Sequence, residues 1–242
     1  TGGEQADAWV AISHDRGDGD RDHARRKSLR FHGNVGLRLA EGIDTRFYAS
    51  VNRIDQELPG TLTRATALSS PKTGNFFGDQ ARDIDSLRLQ NRTRFTWGNQ
   101  RLDVGLFLNA KELYHPIFQV VDQDSTDRGV FFRFEHEAGP LGLSLGGESR
   151  WGTTAARRFV NLSGRRGALT FDARQTARTS SAHAEVRLRV LPELSLIAGA
   201  IHADGERRQR QTLPAPVTGK AGFSATSPRF GLLWQASDAV QV

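Results

Sequence analysis

The sequence predicts an all-β chain: part of an antiparallel transmembrane β-barrel, about eleven strands, with short turns at one end and long loops at the other. Three observations carry this. Apolar residues recur with a period of two. The connections alternate between short and long. The hydrophobic fraction is only 37% over 242 residues, with 25% charged, and no run of 18 apolar residues supplies a spanning helix. Barrel strands are apolar on one face only, so a low hydropathy does not count against them.

The strand candidates, in order, are 6–13, 27–40, 45–54, 83–97, 102–112, 125–137, 141–149, 180–191, 194–204, 227–236 and one from 239. In KSLRFHGNVGLRLA (27–40), Leu29, Phe31, Gly33, Val35, Leu37 and Leu39 alternate with Ser28, Arg30, His32, Asn34, Gly36 and Arg38. In 102–112, Leu102, Val104, Leu106, Leu108 and Ala110 oppose Asp103, Gly105, Asn109 and Lys111, with Phe107 out of pattern. In 182–190, Ala182, Ala184, Val186, Leu188 and Val190 oppose His183, Glu185, Arg187 and Arg189. In 194–204 both faces are apolar, and in 83–97 Asn91 and Thr93 fall on the apolar side. Spanning a bilayer takes about 9–11 tilted residues, which most of these segments supply.

Short connections are EGID (41–44), GNQR (98–101), AGPL (138–141), LPEL (191–194) and ASDA (236–239). Long ones are 14–26, 55–82, 113–124, 150–179 and 205–226. This asymmetry marks a membrane barrel with short periplasmic turns and long extracellular loops; a soluble sandwich has no reason to keep it. It also places GALTFDARQ (167–175) inside a long loop, as a small hairpin. Trp97 and Trp234 fall at the short-turn end, where an aromatic girdle meets the headgroups.

The formal net charge is +6 and the sequence pI about 10.4, which suits an anionic ligand or surface. The cations are spread over alternating positions rather than clustered, which argues against nucleic acid. Cysteine is absent, so no disulfide framework or thiolate metal site exists. Asp15, Asp18, Asp20 and Asp22 suggest a calcium loop, but counting from Asp18 puts His23 and Leu29 where an EF-hand needs Gly and Glu. No metal, cofactor or catalytic constellation is expected, and the chain is read as no enzyme. It is also expected to be an internal piece of a longer protein.

Several segments resemble the TonB-dependent outer-membrane receptors. They are NRIDQELPGTLTRA (52–65), RDIDSLRLQNRTRF (82–95), KELYHPIFQVVDQDSTDRG (111–129), VLPELSLIAGAIHADGERR (190–208) and SPRFGLLWQASDAVQV (227–242). The third is the most specific, and the resemblance is to the ferric-siderophore and ferric-citrate type. It implies a 22-stranded barrel, of which 1–242 is a partial domain, and an N-terminal plug and TonB-contacting segment that have no counterpart here. It implies an outer membrane of a Gram-negative bacterium, active transport of an iron chelate (a siderophore or ferric citrate) energised by TonB, and contact with outer-membrane lipid and lipopolysaccharide. No ligand motif carries over residue by residue.

Candidate ligand contacts come instead from position. The turn order makes 27–40 and 83–97 descend from the long-loop mouth, and 102–112 ascend to it. Arg30, His32, Arg88 and Lys111 then lie high on the polar face, with Arg38, Arg92 and Arg94 lower; His115 sits in an outer loop. Positive charge at a mouth concentrates an anionic chelate, and Arg suits carboxylates. Two alternatives remain open on the sequence: a passive porin or solute channel, distinguished by lacking a plug, and a soluble β-rich binding module, whose apolar face would pack on a second sheet.

Overall fold

The computed structural model describes residues 3–74, 79–237 and 239–242. The strands are β1 (Ala6–Gly17), β2 (Arg26–Ala40), β3 (Ile43–Gln56), β4 (Asp83–Trp97), β5 (Gln100–Pro116), β6 (Gln119–Ala138), β7 (Leu141–Leu162), β8 (Arg165–Leu191), β9 (Leu194–Leu213), β10 (Val217–Ser237) and β11 (Val240–Gln241). They form a single eleven-stranded sheet in chain order, each neighbouring pair antiparallel. β1 and β11 are its edges. One short helix, α1 (Arg64–Ser69), lies in the β3–β4 connection, capped by the Thr63 hydroxyl accepting from the Thr66 amide.

The pairing register fixes which residues share a face. Leu37 lies opposite Thr45, Val35 opposite Phe47 and Phe31 opposite Val51; Val51 lies opposite Leu87 and Ala49 opposite Leu89. The apolar set continues through Leu106, Val130 and Leu145 to Ala184, Ala200 and Pro228. No second layer covers it: among the described residues only Val120, Ala156 and Ala173 are buried hydrophobics, whereas Leu39, Leu106, Phe132, Val186 and Leu232 are exposed. A soluble module of this size would bury its apolar face. Trp97, 46% exposed, and Trp234, 53% exposed, both stand on this face near the short turns, with Trp97 against Phe134 at 6.4 Å between ring centroids.

Three of the short turns reverse on a glycine at positive φ, Gly42, Gly98 and Gly139. Gly42 has φ of 69°, and a β-carbon there would collide with the Thr96 carbonyl. The long connections differ from expectation. Segments 113–124, 150–179 and 205–226 are almost entirely strand, and β5–β6, β7–β8 and β9–β10 turn only at 117–118, 163–164 and 214–216. The stretch 167–175 does lie toward the long-loop end, but as the upper part of β8 rather than a separate hairpin. Period-two patterning reports contact with hydrocarbon, and these extensions stand beyond it. Their ladders carry polar cross-strand pairs instead, including Ser125–Thr154 at 3.1 Å and Gln175–Gln209 at 2.9 Å. At 27 residues, β8 is roughly 90 Å long at about 3.4 Å per residue, far more than a bilayer requires. The 14–26 loop shrinks to 18–25, while the described residues of 57–82 lie outside the strands, apart from α1 and an isolated Glu57–Ala81 bridge.

Phe107, out of pattern in the sequence, has a local explanation. It lies opposite Gly129, and Gly105 lies opposite Phe131. A β-carbon on either glycine would overlap the facing ring. Each aromatic side chain therefore covers a bare stretch of backbone on the polar face. His183 over Gly146 and Phe223 over Gly205 repeat the arrangement. Gly105→Ala and Gly129→Ala should each cost about 1–3 kcal/mol through displaced rings. Gly219→Ala, with nothing within 4 Å of the added carbon, should stay within about 0.5 kcal/mol. Thermal unfolding followed by gel mobility measures both.

Candidate functional site

The polar face is built row by row from the register. One row runs Arg30, Asn52, Ser86, Lys111, Ser125, Thr154, Gln175, Gln209. The next, nearer the short turns, runs His32, Ser50, Arg88, Asn109, Asp127. Together they border a trough of about 920 Å³ whose lining includes His32, Arg88, Lys111, Asn52, Asn109 and Asp127. Strands sit about 4.8 Å apart, so Arg30 and Lys111, three strands apart, have backbones about 14 Å from each other, and those of His32 and Arg88 are about 10 Å apart.

The neutral groups of the trough are linked to one another. The Ser50 hydroxyl meets His32 Nδ1 at 3.0 Å, and Asn52 Nδ2 donates to Ser86 Oγ at 3.3 Å. Asp127 is taken by Arg150 at 2.6 Å. Arg30, Arg88 and Lys111 are different: all three are exposed, and none forms an ion pair or side-chain hydrogen bond with any described residue.

Toward the short turns the same face is mostly self-neutralised. Arg46 bonds Asp7 at 2.6 Å and also Asn34. Arg94 grips Asp103 with two bonds, 2.8 and 3.2 Å. Arg101 and Arg133 share Glu135, Arg187 meets Glu137 at 2.8 Å and Arg229 meets Glu185 at 2.9 Å. Arg38 reaches Asp44 at a looser 3.5 Å. Arg92 and Arg189 are the cations here that have no ion pair among the described residues.

The structure thus brings His32, Arg88 and Lys111 to one trough, with Arg30 in the row of Lys111. His115 stands apart: its Nδ1 meets the Ala81 carbonyl at 2.6 Å, and the Ala81 amide donates to the Pro116 carbonyl at 3.0 Å. It ties the end of the 57–82 loop to the top of β5. Sequence reasoning missed the neutral lining residues Asn52, Ser86 and Asn109. The five tight turns hold their signal, because they fix the register that aligns these residues with the cations. No cluster of three or more metal-ligating side chains occurs among the described residues.

Residues 9–242 match the family model described as TonB dependent receptor-like, beta-barrel. The chain belongs to the TonB-dependent receptor β-barrel family. Its structure is similar to the unliganded ferric citrate transporter FecA, with a TM-score of 0.86 at 12% identity, covering 98% of this chain and 38% of that one. It is also similar to the siderophore receptor PiuA from Acinetobacter baumannii, with a TM-score of 0.75 at 12% identity, covering 98% and 44%. A third is the ferric-catecholate import receptor Fiu from E. coli K12, with a TM-score of 0.74 at 12% identity, covering 98% and 49%. This TonB-dependent receptor chain therefore spans less than half the length of those proteins. No curated protein sequence matches it. The family is one of receptors and transporters, not enzymes, and the polar face of the sheet corresponds to the barrel lumen.

The two charge environments predict opposite responses to mutation. Asp103 is buried and holds Arg94, so Asp103→Ala in the full-length receptor should cost about 1–3 kcal/mol. Arg88→Ala removes an exposed, unpartnered cation and should change stability by less than about 0.5 kcal/mol. Thermal midpoints of the two variants check the contrast.

Proposed function

We propose that this chain is about half the barrel of an outer-membrane active transport receptor for an iron chelate, a ferric siderophore or ferric citrate. The remaining strands and a plug belong to the rest of the receptor. Uptake is energised through TonB acting on that plug, and no bond of the ligand is made or broken by the barrel.

The observation that carries the reading is the free charge of Arg30, Arg88 and Lys111 above a lumen whose other cations are mostly paired. An unpaired guanidinium or ammonium group in a concave, partly walled trough attracts anions, and carboxylate recognition by Arg is bidentate where geometry allows. His32, held by Ser50, adds a further polar contact at the same height. His115 acts on this site by holding the 57–82 loop near the mouth. Membership of the receptor family, and similarity to receptors for ferric citrate and siderophores, make an iron chelate the ligand class of choice.

The test uses the full-length receptor in detergent or in cells. Ferric citrate should bind more weakly after Arg30→Ala, Arg88→Ala or Lys111→Ala, by about tenfold each if a charge-assisted bond is lost. Binding should also weaken as ionic strength rises. Unchanged affinity in all three variants contradicts the assignment of the trough. Accumulation of the iron chelate in cells should stop when TonB is deleted; continued uptake contradicts active transport and favours a passive channel.

A further inference from the structure

The trough has a second kind of lining. One row below His32 and Arg88, toward the short turns, Trp9 of β1 lies opposite Asn34 of β2 and Asn34 opposite Tyr48 of β3. Tyr48 lies opposite Gln90 of β4, and Gln90 opposite Phe107 of β5. Three aromatic side chains thus share one row, each two strands from the next, with an amide side chain between. All three border the same cavity as Arg88 and Lys111. Tryptophan in a membrane barrel belongs at the headgroups, on the lipid face, where Trp97 and Trp234 stand. Trp9 is on the opposite face and 54% exposed.

Trp9, Tyr48 and Phe107 form no ring pair with any described residue. Phe107 leans over Gly129, whereas the rings of Trp9 and Tyr48 cover no glycine. Strands about 4.8 Å apart put neighbouring aromatic backbones of this row about 10 Å from each other. Rings in offset-stacked or edge-to-face contact have centroids about 4.5–7 Å apart, and two such contacts in series span about 9–14 Å. A planar ring seated between two of these side chains therefore touches both. Arg88 stands two residues along β4 from Gln90, about 7 Å higher, exposed and without an ion pair among the described residues. A cation at that height meets the charged oxygens of a ring held below it and attracts the face of that ring. A chelate of the citrate type offers carboxylates but no ring, so it would use the cations and leave the aromatic row in water.

We infer that the chelate taken by this trough is an aryl one, with catecholate or phenolate rings, and that Trp9 and Tyr48 determine that specificity. The inference deepens the reading of the trough as an iron-chelate site and rests on it. The free cations attract any anionic chelate, and the aromatic row selects among them.

The experiment compares two chelates of equal charge, the tris-catecholate and the tris-oxalate of chromium(III), in equilibrium binding to the full-length receptor. Chromium(III) stands in for iron(III) because it exchanges its ligands slowly, so both complexes stay intact at the same pH. The wild type should bind the tris-catecholate about tenfold or more tightly than the tris-oxalate. Trp9→Leu and Tyr48→Leu should each narrow that ratio by about threefold or more. Heat-modifiable gel mobility establishes that each variant is folded. The triple variant Arg30→Ala, Arg88→Ala, Lys111→Ala should weaken both chelates alike. Equal affinity of the wild type for the two complexes overturns the inference and leaves the cationic site standing. Folded aromatic variants that keep the wild-type ratio, or that lose both chelates equally, overturn it as well. A triple variant that binds both chelates like the wild type contradicts the site itself, and the inference with it.

Discussion

The backbone ladder of a single sheet is the constraint on which the rest depends. Inside a bilayer every amide and carbonyl must be satisfied within the protein, because hydrocarbon offers no partner. Eleven strands paired in chain order meet that demand across the sheet between its two edges. Once the ladder is fixed, parity decides everything else. A side chain faces lipid or lumen by its position modulo two, and a slip of one residue would turn Arg30, Arg88 and Lys111 into hydrocarbon. The tight turns at Gly42, Gly98 and Gly139 hold the register against that slip. The bare backbone at Gly105 and Gly129 is covered by rings from the next strand, so the wall has no gaps where its side chains are smallest.

Charge is then distributed by what else is available to neutralise it. Near the short turns the lumen pairs most of its own arginines, as in Arg46–Asp7 and Arg94–Asp103. Toward the long-loop end it leaves Arg30, Arg88 and Lys111 exposed and without an ion pair among the described residues. The outer face also neutralises some of its charges within the sheet, as in Arg53–Asp85 and in Glu206 shared by Arg208 and Lys220.

Much of the fold was legible in the sequence because hydrocarbon imposes a simple code. Leu29 to Leu39 and Leu102 to Ala110 show it directly, and the five short connections give the strand count and direction. The code ends where the membrane ends. Residues 150–179, rich in Thr, Ala, Ser and Arg, read as loop because strands in water need no apolar alternation, yet most of them extend β7 and β8. The site was legible in part. His32, Arg88 and Lys111 share a trough that parity alone could suggest, whereas Asn52, Ser86 and Asn109 emerge only when the register sets them beside the cations. The role of His115 was hidden because its partner is the carbonyl of Ala81, which no side-chain pattern encodes.

The most direct test of this account is a scan of single cysteines through residues 29–38 of β2, in the full-length receptor reconstituted with brominated lipid. The segment contains no native cysteine, so each label reports one position. The account predicts that a fluorophore at 29, 31, 33, 35 and 37 is quenched by the lipid and that one at 30, 32, 34, 36 and 38 is not. Quenching that is uniform along β2, or strongest at Arg30, His32 and Arg38, would contradict it.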